Sequence, residues 1–395
     1  MKNFVLIVFG QIISLFGNAA LRFALPLVLL RQSGSAALYG SVTALAMLPA
    51  LAGMLAGGAL ADRCRKARLM ALLDLLTTGL SVFAACGITH LPLLPLTLGG
   101  LYAIQGLYQP VVRASLPLVL EDRQLVRGNA VIQLVDTVDE LLGPLLGSLL
   151  LEACGIRGLL LLCGGCFAAS AGMELCIRIP RDLPGDAPLS LSGILADLRD
   201  STRYLTGQPA LLQLAATMAA VNLLEIPALT VGIPVLVVQF LHKSDAALGL
   251  AQAVLSAGGI LGGVLAGTWF TRHPFRSGLP LLSGIGGVCA AMGLVLLVPP
   301  LAFGGLLALG FAVMAAAMLF NVWFFTQLQQ RVPQAQLGRV TGCLTVLACL
   351  TQPLGQAAYG VLFQYWVTNP AVVLLGAGTL SALVLSLLAA QAPSL

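Results

Sequence analysis

Long apolar runs separated by short polar connections set the pattern of this chain. The runs fall at 4–30, 37–61, 69–88, 93–119, 129–152, 157–178, 211–241, 246–271, 278–298, 300–327, 338–366 and 370–391. A helix needs roughly 20 mostly apolar residues to cross a bilayer. The pattern therefore predicts twelve spanning helices, six on either side of the longest polar stretch, Ile179 to Pro209. The first run, with Asn18 and Arg22 inside it, is too long for a signal core and reads as a spanning helix. Within the polar stretch, Leu191, Ile194, Leu195, Leu198 and Leu205 recur at helical spacing, with Asp197, Arg199, Asp200 and Arg203 between them. This predicts an amphipathic helix on the membrane surface or a solvated helical linker.

Composition agrees with the pattern. Only 9% of the 395 residues are charged and 58% are hydrophobic. A soluble domain carries about a quarter charged residues, so the solvent predicted here is lipid. The expected fold is an all-α membrane protein of two pseudo-symmetric six-helix bundles. Residues 1–178 form the first bundle, 179–210 a cytoplasmic linker and 211–395 the second. The formal charge of +5 matters less than where it lies. Arg63, Arg65, Lys66, Arg68, Arg123, Arg127, Arg178, Arg181, Arg199, Arg203, Arg272, Arg276, Arg331 and Arg339 follow even-numbered runs, whereas Arg31, Arg157 and Lys243 follow odd-numbered ones. Positive charge marks the cytoplasmic side, so both termini are expected there, in a plasma (inner) membrane protein. The halves also echo each other. LEDRQLVR at 120–127 and VPQAQLGR at 332–339 both place Leu and Arg before a new apolar run. A duplicated transporter would show this.

Other function classes lack their signatures. No G-x-x-x-x-G-K-[ST] loop is present for ATP, and no nucleophile elbow or H-E-x-x-H is present for an enzyme. The nine cysteines show no disulfide framework, and Cys163-x-x-Cys166 lies in an apolar run without a second pair. His90, His242 and His273 form no ligand set. No cofactor, metal or nucleic acid is expected, and a monomer is. Gly259, Gly263 and Gly267 form G-x-x-x-G steps, expected to serve close packing within the chain.

Charges stranded in hydrocarbon cost at least about 2.5–3.5 kcal/mol on insertion scales, so they usually border a cavity or a partner. Asp136, Asp139 and Glu140 cluster in the fifth run. Two acids one helical turn apart disfavour double ionisation, and such a pair can take up and release a proton. Glu140, with Asp136 or Asp139, is the expected proton-coupling group, and Arg22 the expected counter-charge. A structural ion pair between the first and fifth helices is the competing reading. Glu225, in the seventh run beside Asn222, is expected to be functional. Asp74 is expected to pair with the basic loop before it, and Glu174 to reach the interface.

Three motifs carry a family resemblance. Gly58-Ala-Leu-Ala-Asp62-Arg63-Cys-Arg65-Lys66-Ala-Arg68 follows the second run. It resembles the G-x-L-A-D-R loop of the major facilitator superfamily, with Arg65 near the place of the family's usual glycine. Leu142-Gly143-Pro144-Leu-Leu-Gly147 in the fifth run resembles the G-P-x-x-G motif of that superfamily's drug/proton antiporters. Ile233-Pro234, Gly249, Gly258-Gly259, Pro110-Val-Val-Arg113 and Leu125…Asn129-Ala130 are similar to the branch of macrolide-efflux and siderophore-exporter proteins.

The resemblance implies a latch made of Gly58, Asp62, Arg63, Arg65, Lys66 and Arg68, with Gly143, Pro144 and Gly147 shaping the fifth helix. It implies a central site lined by the first, fourth, seventh and tenth helices. Matching positions are Asn18, Arg22, Tyr102, Gln105, Gln109, Asn222, Glu225, Asn321, Trp323, Phe324 and Gln327. The implied activity is proton-coupled export of an amphipathic small molecule by alternating access. An uptake carrier or lipid flippase is the alternative. Substrate, protons and membrane lipids are the expected partners.

Overall fold

The computed structural model describes residues 2–87, 91–120, 122–177, 203, 207–269, 279–332 and 334–390. The first four helices are α1 (Lys2–Ser33), α2 (Ala36–Arg63), α3 (Lys66–Cys86) and α4 (Leu93–Val119). A helical stretch over Asp122–Leu175 is broken at Gly155, whose φ of 66° and ψ of 175° suit a residue without Cβ. It supplies α5 (122–154) and α6 (156–175). The second half holds α7 (Pro209–Phe240), α8 (Asp245–Trp269), α9 (Leu279–Val295), α10 (Pro299–Arg331), α11 (Gln334–Tyr365) and α12 (Ala371–Ala390). Among the described residues, each of the twelve apolar runs overlaps one of these helices. The 191–205 segment lies outside the described residues, apart from Arg203.

Two connections differ from expectation in the same way. Helix α5 begins at Asp122 and α11 at Gln334, so both echo segments are first turns of helices rather than loops. Helix α7 is stepped: its first segment ends at Leu224, and a π-helical turn closes it at Leu236–Phe240. Pro227 and Pro234 each remove a backbone donor from this helix. The Tyr359 hydroxyl of α11 donates to Leu224 O at the first step, at 2.5 Å.

Burial is arranged for lipid. On α3, Leu72, Leu75, Leu76 and Phe83 are exposed, while Asp74, Thr77 and Ser81 are buried. Lipid tails solvate the apolar side, so helix association relies on close packing and interhelical hydrogen bonds.

The same packing scheme appears in each half. Residues 4, 19 and 20 of α1 meet 128, 143 and 147 of α5, a parallel pair. Positions 10 and 17 of α1 meet 170 and 167 of α6, an antiparallel pair. Gly155 therefore reverses the chain between α5 and α6. Helices α2 and α4 run parallel through Gly53 against Ala103 and Gly57 against Leu107. Their counterparts α8 and α10 do so through Gly258 against Phe311 and Gly262 against Ala315. Gly355 and Phe363 of α11 meet Leu223 and Gly232 of α7, matching the α1–α5 pairing. Antiparallel α3 and α6 meet at Thr78 and Gly164, and antiparallel α9 and α12 at Gly286 and Gly378.

The G-x-x-x-G expectation shifts by one residue. Gly258 and Gly262 make the close approach, whereas a Cβ at Gly259 or Gly267 would meet nothing within 4 Å. Gly143 and Gly147 do pack closely, against Ala19 and Ala20 of α1.

Cα packing divides the chain into two units that trade short segments. One holds α1, most of α2, α3–α6 and Asp245–Ala253. The other holds Ser35–Ala44, α7, the rest of α8 and α9–α12. Arg31 Nη2 lies 2.7 Å from Asp245 Oδ1 in the first unit. In the second, Ala36 N donates to Gln364 Oε1 at 2.8 Å.

Candidate functional site

In the first unit, α1 and α4 bring together four of the expected residues. Asn18 and Arg22 stand one turn apart on α1, and Gln105 and Tyr102 one turn apart on α4. Asn18 Nδ2 donates to Gln105 Oε1 at 3.1 Å. The Arg22 guanidinium carbon lies 4.1 Å from the centre of the Tyr102 ring. The charges of Asp139 and Glu140 on α5 also act on Arg22. A cation thus has an aromatic face and two acids as neighbours, in an arrangement contributed by three helices. Gln109 sits one turn beyond Gln105, and its buried Oε1 has no partner among the described residues.

Asp139 also forms part of the wall of an apolar recess of about 370 Å³ between α1 and α5. Phe16, Val138 and Leu142 are among its other walls. The charge of Asp136 acts on Asp139 and Glu140 rather than on Arg22 itself. Its nearest cation is Arg113 of α4, with Nη2 3.9 Å from Asp136 Oδ2. Arg113 was named only within a family motif and not among the membrane charges. The available signal was an arginine within an apolar helix, six residues short of its end.

In the second unit each expected residue has its own described partner or exposure. Glu225 is buried on α7 and accepts from Ser381 Oγ of α12 at 2.7 Å. Asn222 Nδ2 donates to its own helix at Met218 O, at 2.9 Å. On α10, Trp323 and Phe324 are buried and pack against Phe320, with ring centres 5.7 and 5.9 Å away. Asn321 is exposed, and Gln327 accepts from Arg331 Nε at 3.3 Å.

Of the latch residues, Arg65 and Arg68 are exposed and Lys66 is buried. The surroundings of Gly58 and the side chains of Asp62 and Arg63 lie outside what the structure describes. Arg65 caps α3 at φ −66° and ψ 111°, an extended conformation open to any residue. The position therefore does not require the family's glycine.

Two acids depart from expectation. Glu174 is fully buried and Asp74 nearly so. Ser14 Oγ of α1 donates to Asp74 Oδ1 at 2.8 Å. The Tyr108 hydroxyl of α4 donates to Glu174 Oε1. Neither acid is placed as the sequence suggested, Asp74 with the basic loop or Glu174 at the interface.

The geometry of paired, repeated bundles meets an independent finding. The family model of the Major Facilitator Superfamily matches residues 7–356. The chain belongs to the major facilitator superfamily. Among its curated relatives is the enterobactin exporter EntS of Citrobacter koseri, 26% identical over 368 residues, covering 89% of this chain and 83% of that protein. The corresponding exporter of Shigella boydii is 27% identical with the same coverage. The solved nucleoside transporter NupG superposes with a TM-score of 0.73 at 14% identity, covering 98% of this chain and 98% of that one. As a member of the superfamily, the protein is a membrane-embedded secondary transporter of small molecules and is not an enzyme.

Proposed function

We propose that this major facilitator exports an amphipathic small molecule of siderophore or drug type in exchange for protons, by alternating access. The exporter relatives support the direction. The Arg22 constellation is the observation that carries the coupling: one guanidinium against Tyr102, with Asp139 and Glu140 acting on it. Protonation of these acids removes their hold on Arg22. Exchange requires protons and substrate to exclude each other: a cationic or aromatic part of the substrate held beside the ionised acids and Tyr102 is released when protonation neutralises the acids. Asn18 and Gln105 supply amides beside Arg22, and the recess next to Asp139 offers apolar surface.

In this reading the protein is a monomer in the inner membrane, in contact with its lipids, with both termini cytoplasmic. Residues 1–178 and 211–395 form the two bundles, and 179–210 connect them on the cytoplasmic side. The basic residues after α2 form a latch with Gly143, Pro144 and Gly147. Asn222, Glu225, Asn321, Trp323, Phe324 and Gln327 belong to the substrate path.

The test is flux in proteoliposomes under an imposed pH gradient, with enterobactin and a macrolide as probes. The gradient is expected to drive transport of one of them, and Glu140→Gln to abolish the driven component. Flux indifferent to the gradient would refute proton exchange. Unchanged coupling in Glu140→Gln would remove that residue from the mechanism.

A further inference from the structure

Helices α1, α3, α4 and α6 enclose a second group of ionisable residues that the transport reading does not use. Asp74 and Glu174 are 2% and 0% exposed. Each accepts one hydroxyl, from Ser14 and Tyr108 respectively. Each also keeps a second carboxylate oxygen, Asp74 Oδ2 and Glu174 Oε2, with no hydrogen-bond partner among the described residues. The two charges act on each other and on Tyr108. No described lysine or arginine forms an ion pair with either acid.

An independent observation points into the same space. Gln11 of α1 is fully buried, and neither its amide oxygen nor its nitrogen has a partner among the described residues. It faces the Tyr108 hydroxyl. Ser170 lies within hydrogen-bond reach of both Gly10 O, at 3.0 Å, and the Asp74 carboxylate, and has one hydroxyl hydrogen for the two. The hydroxyl rotates, so toward a protonated Asp74 the Ser170 oxygen can accept while its hydrogen stays on Gly10 O. Among the described residues, the group therefore has unmet oxygen acceptors and two acids without a facing cation. Burying an isolated carboxylate is so unfavourable that such a group neutralises instead.

We propose that Asp74 and Glu174 form a proton-binding site, distinct from the Arg22 constellation. The proton bonds to one of the two unpartnered oxygens, Asp74 Oδ2 or Glu174 Oε2. On Asp74 it can donate to Ser170 Oγ. A hard metal ion fits less well, because it requires six or more oxygens. Here the Ser14 and Tyr108 hydroxyls already point their hydrogens at the carboxylates. Facing the pair, among the described residues, are Gln11 and Ser14 from α1, Tyr108 from α4 and Ser170 from α6. Of these, Tyr108 is the one titratable side chain.

The experiment needs neither substrate nor gradient, so its outcome is independent of the proposed transport activity. Thermal unfolding of the purified full chain is followed from pH 5 to 10, for the wild type and for Asp74→Asn/Glu174→Gln. A proton held by the folded state and absent from the unfolded chain makes stability fall as pH rises. The folding constant of the wild type is expected to fall with pH more steeply than that of the double variant, by up to tenfold per pH unit for each proton held. Parallel curves would overturn the proposal. Stabilisation of the wild type at alkaline pH by sodium, but not by choline at equal ionic strength, would replace the proton with sodium and overturn it too.

Infrared spectroscopy at neutral pH guards against a variant that does not fold. The wild type should show the C=O stretch of a protonated carboxylic acid, weakened in Asp74→Asn or Glu174→Gln. Absence of that band from the wild type, or its survival unchanged in both single variants, would equally refute the site.

Discussion

The Ser381 hydroxyl of α12 donates to Glu225 Oε1 of α7 at 2.7 Å, and both side chains are buried. The acid is thus tied to a neighbouring helix by a donor that hydrocarbon cannot replace. Removing the donor leaves an acceptor unsatisfied, which costs about 1–3 kcal/mol. Ser381→Ala is expected to lower the thermal midpoint in detergent by an amount matching that loss. Glu225→Gln, which can still accept the bond, is expected to unfold close to the wild type. Substrate affinity measured in both variants separates a structural acid from a binding one. Affinity lost in Glu225→Gln with stability intact supports a place for Glu225 in the substrate path.

The doubled glycines of α8 make a paired prediction. A Cβ at Gly258 would strike the carbonyl of Phe311, while one at Gly259 meets open space. Overpacking of this kind costs about 1–3 kcal/mol. Gly258→Ala is expected to destabilise the protein and Gly259→Ala to be neutral or mildly stabilising, judged by unfolding midpoints measured side by side. Equal effects would contradict the α8–α10 packing.

Arg22 is predicted to matter for function more than for stability. Its cation–π contact with Tyr102 is worth about 0.5–2 kcal/mol. Arg22→Ala is expected to lose substrate-dependent proton movement while folding nearly normally. Adding Glu140→Gln should lessen any instability, because one acid that acts on Arg22 is then neutral. Proton uptake by proteoliposomes and the unfolding midpoint together check this.

Gly155 is predicted to resist substitution. Its φ of 66° with ψ of 175° lies in a region essentially confined to glycine. Gly155→Ala is expected to destabilise by about 1–3 kcal/mol, although open space surrounds the site. A midpoint unchanged from wild type would show that the turn adopts another conformation.

Much of this was legible in the sequence because the bilayer imposes so strict a length rule. Twelve runs of adequate length gave twelve helices among the described residues, and the Asn18, Arg22, Tyr102 and Gln105 spacings matched facing turns of two helices. What hydropathy cannot supply is the direction in which a polar residue faces. Asp74 and Glu174 were placed by their position along a helix, which measures depth, whereas their partners Ser14 and Tyr108 come from other helices. Gly258-Gly259 and Gly262-Gly263 offer two frames with the same period. Only the backbone of α10 decides between them. Arg113 was obscured in a different way, as one residue of the Pro110-Val-Val-Arg113 segment that carries the branch resemblance.

The single-residue reversal at Gly155 mechanically joins two sets of acids. Asp136, Asp139 and Glu140 lie on α5, while Glu174 lies on α6, and no flexible tether separates the two rods. With one residue between them, the facing ends of α5 and α6 are held within a few ångströms of each other. A longer loop would have let the two ends separate. This hairpin fixes their spacing.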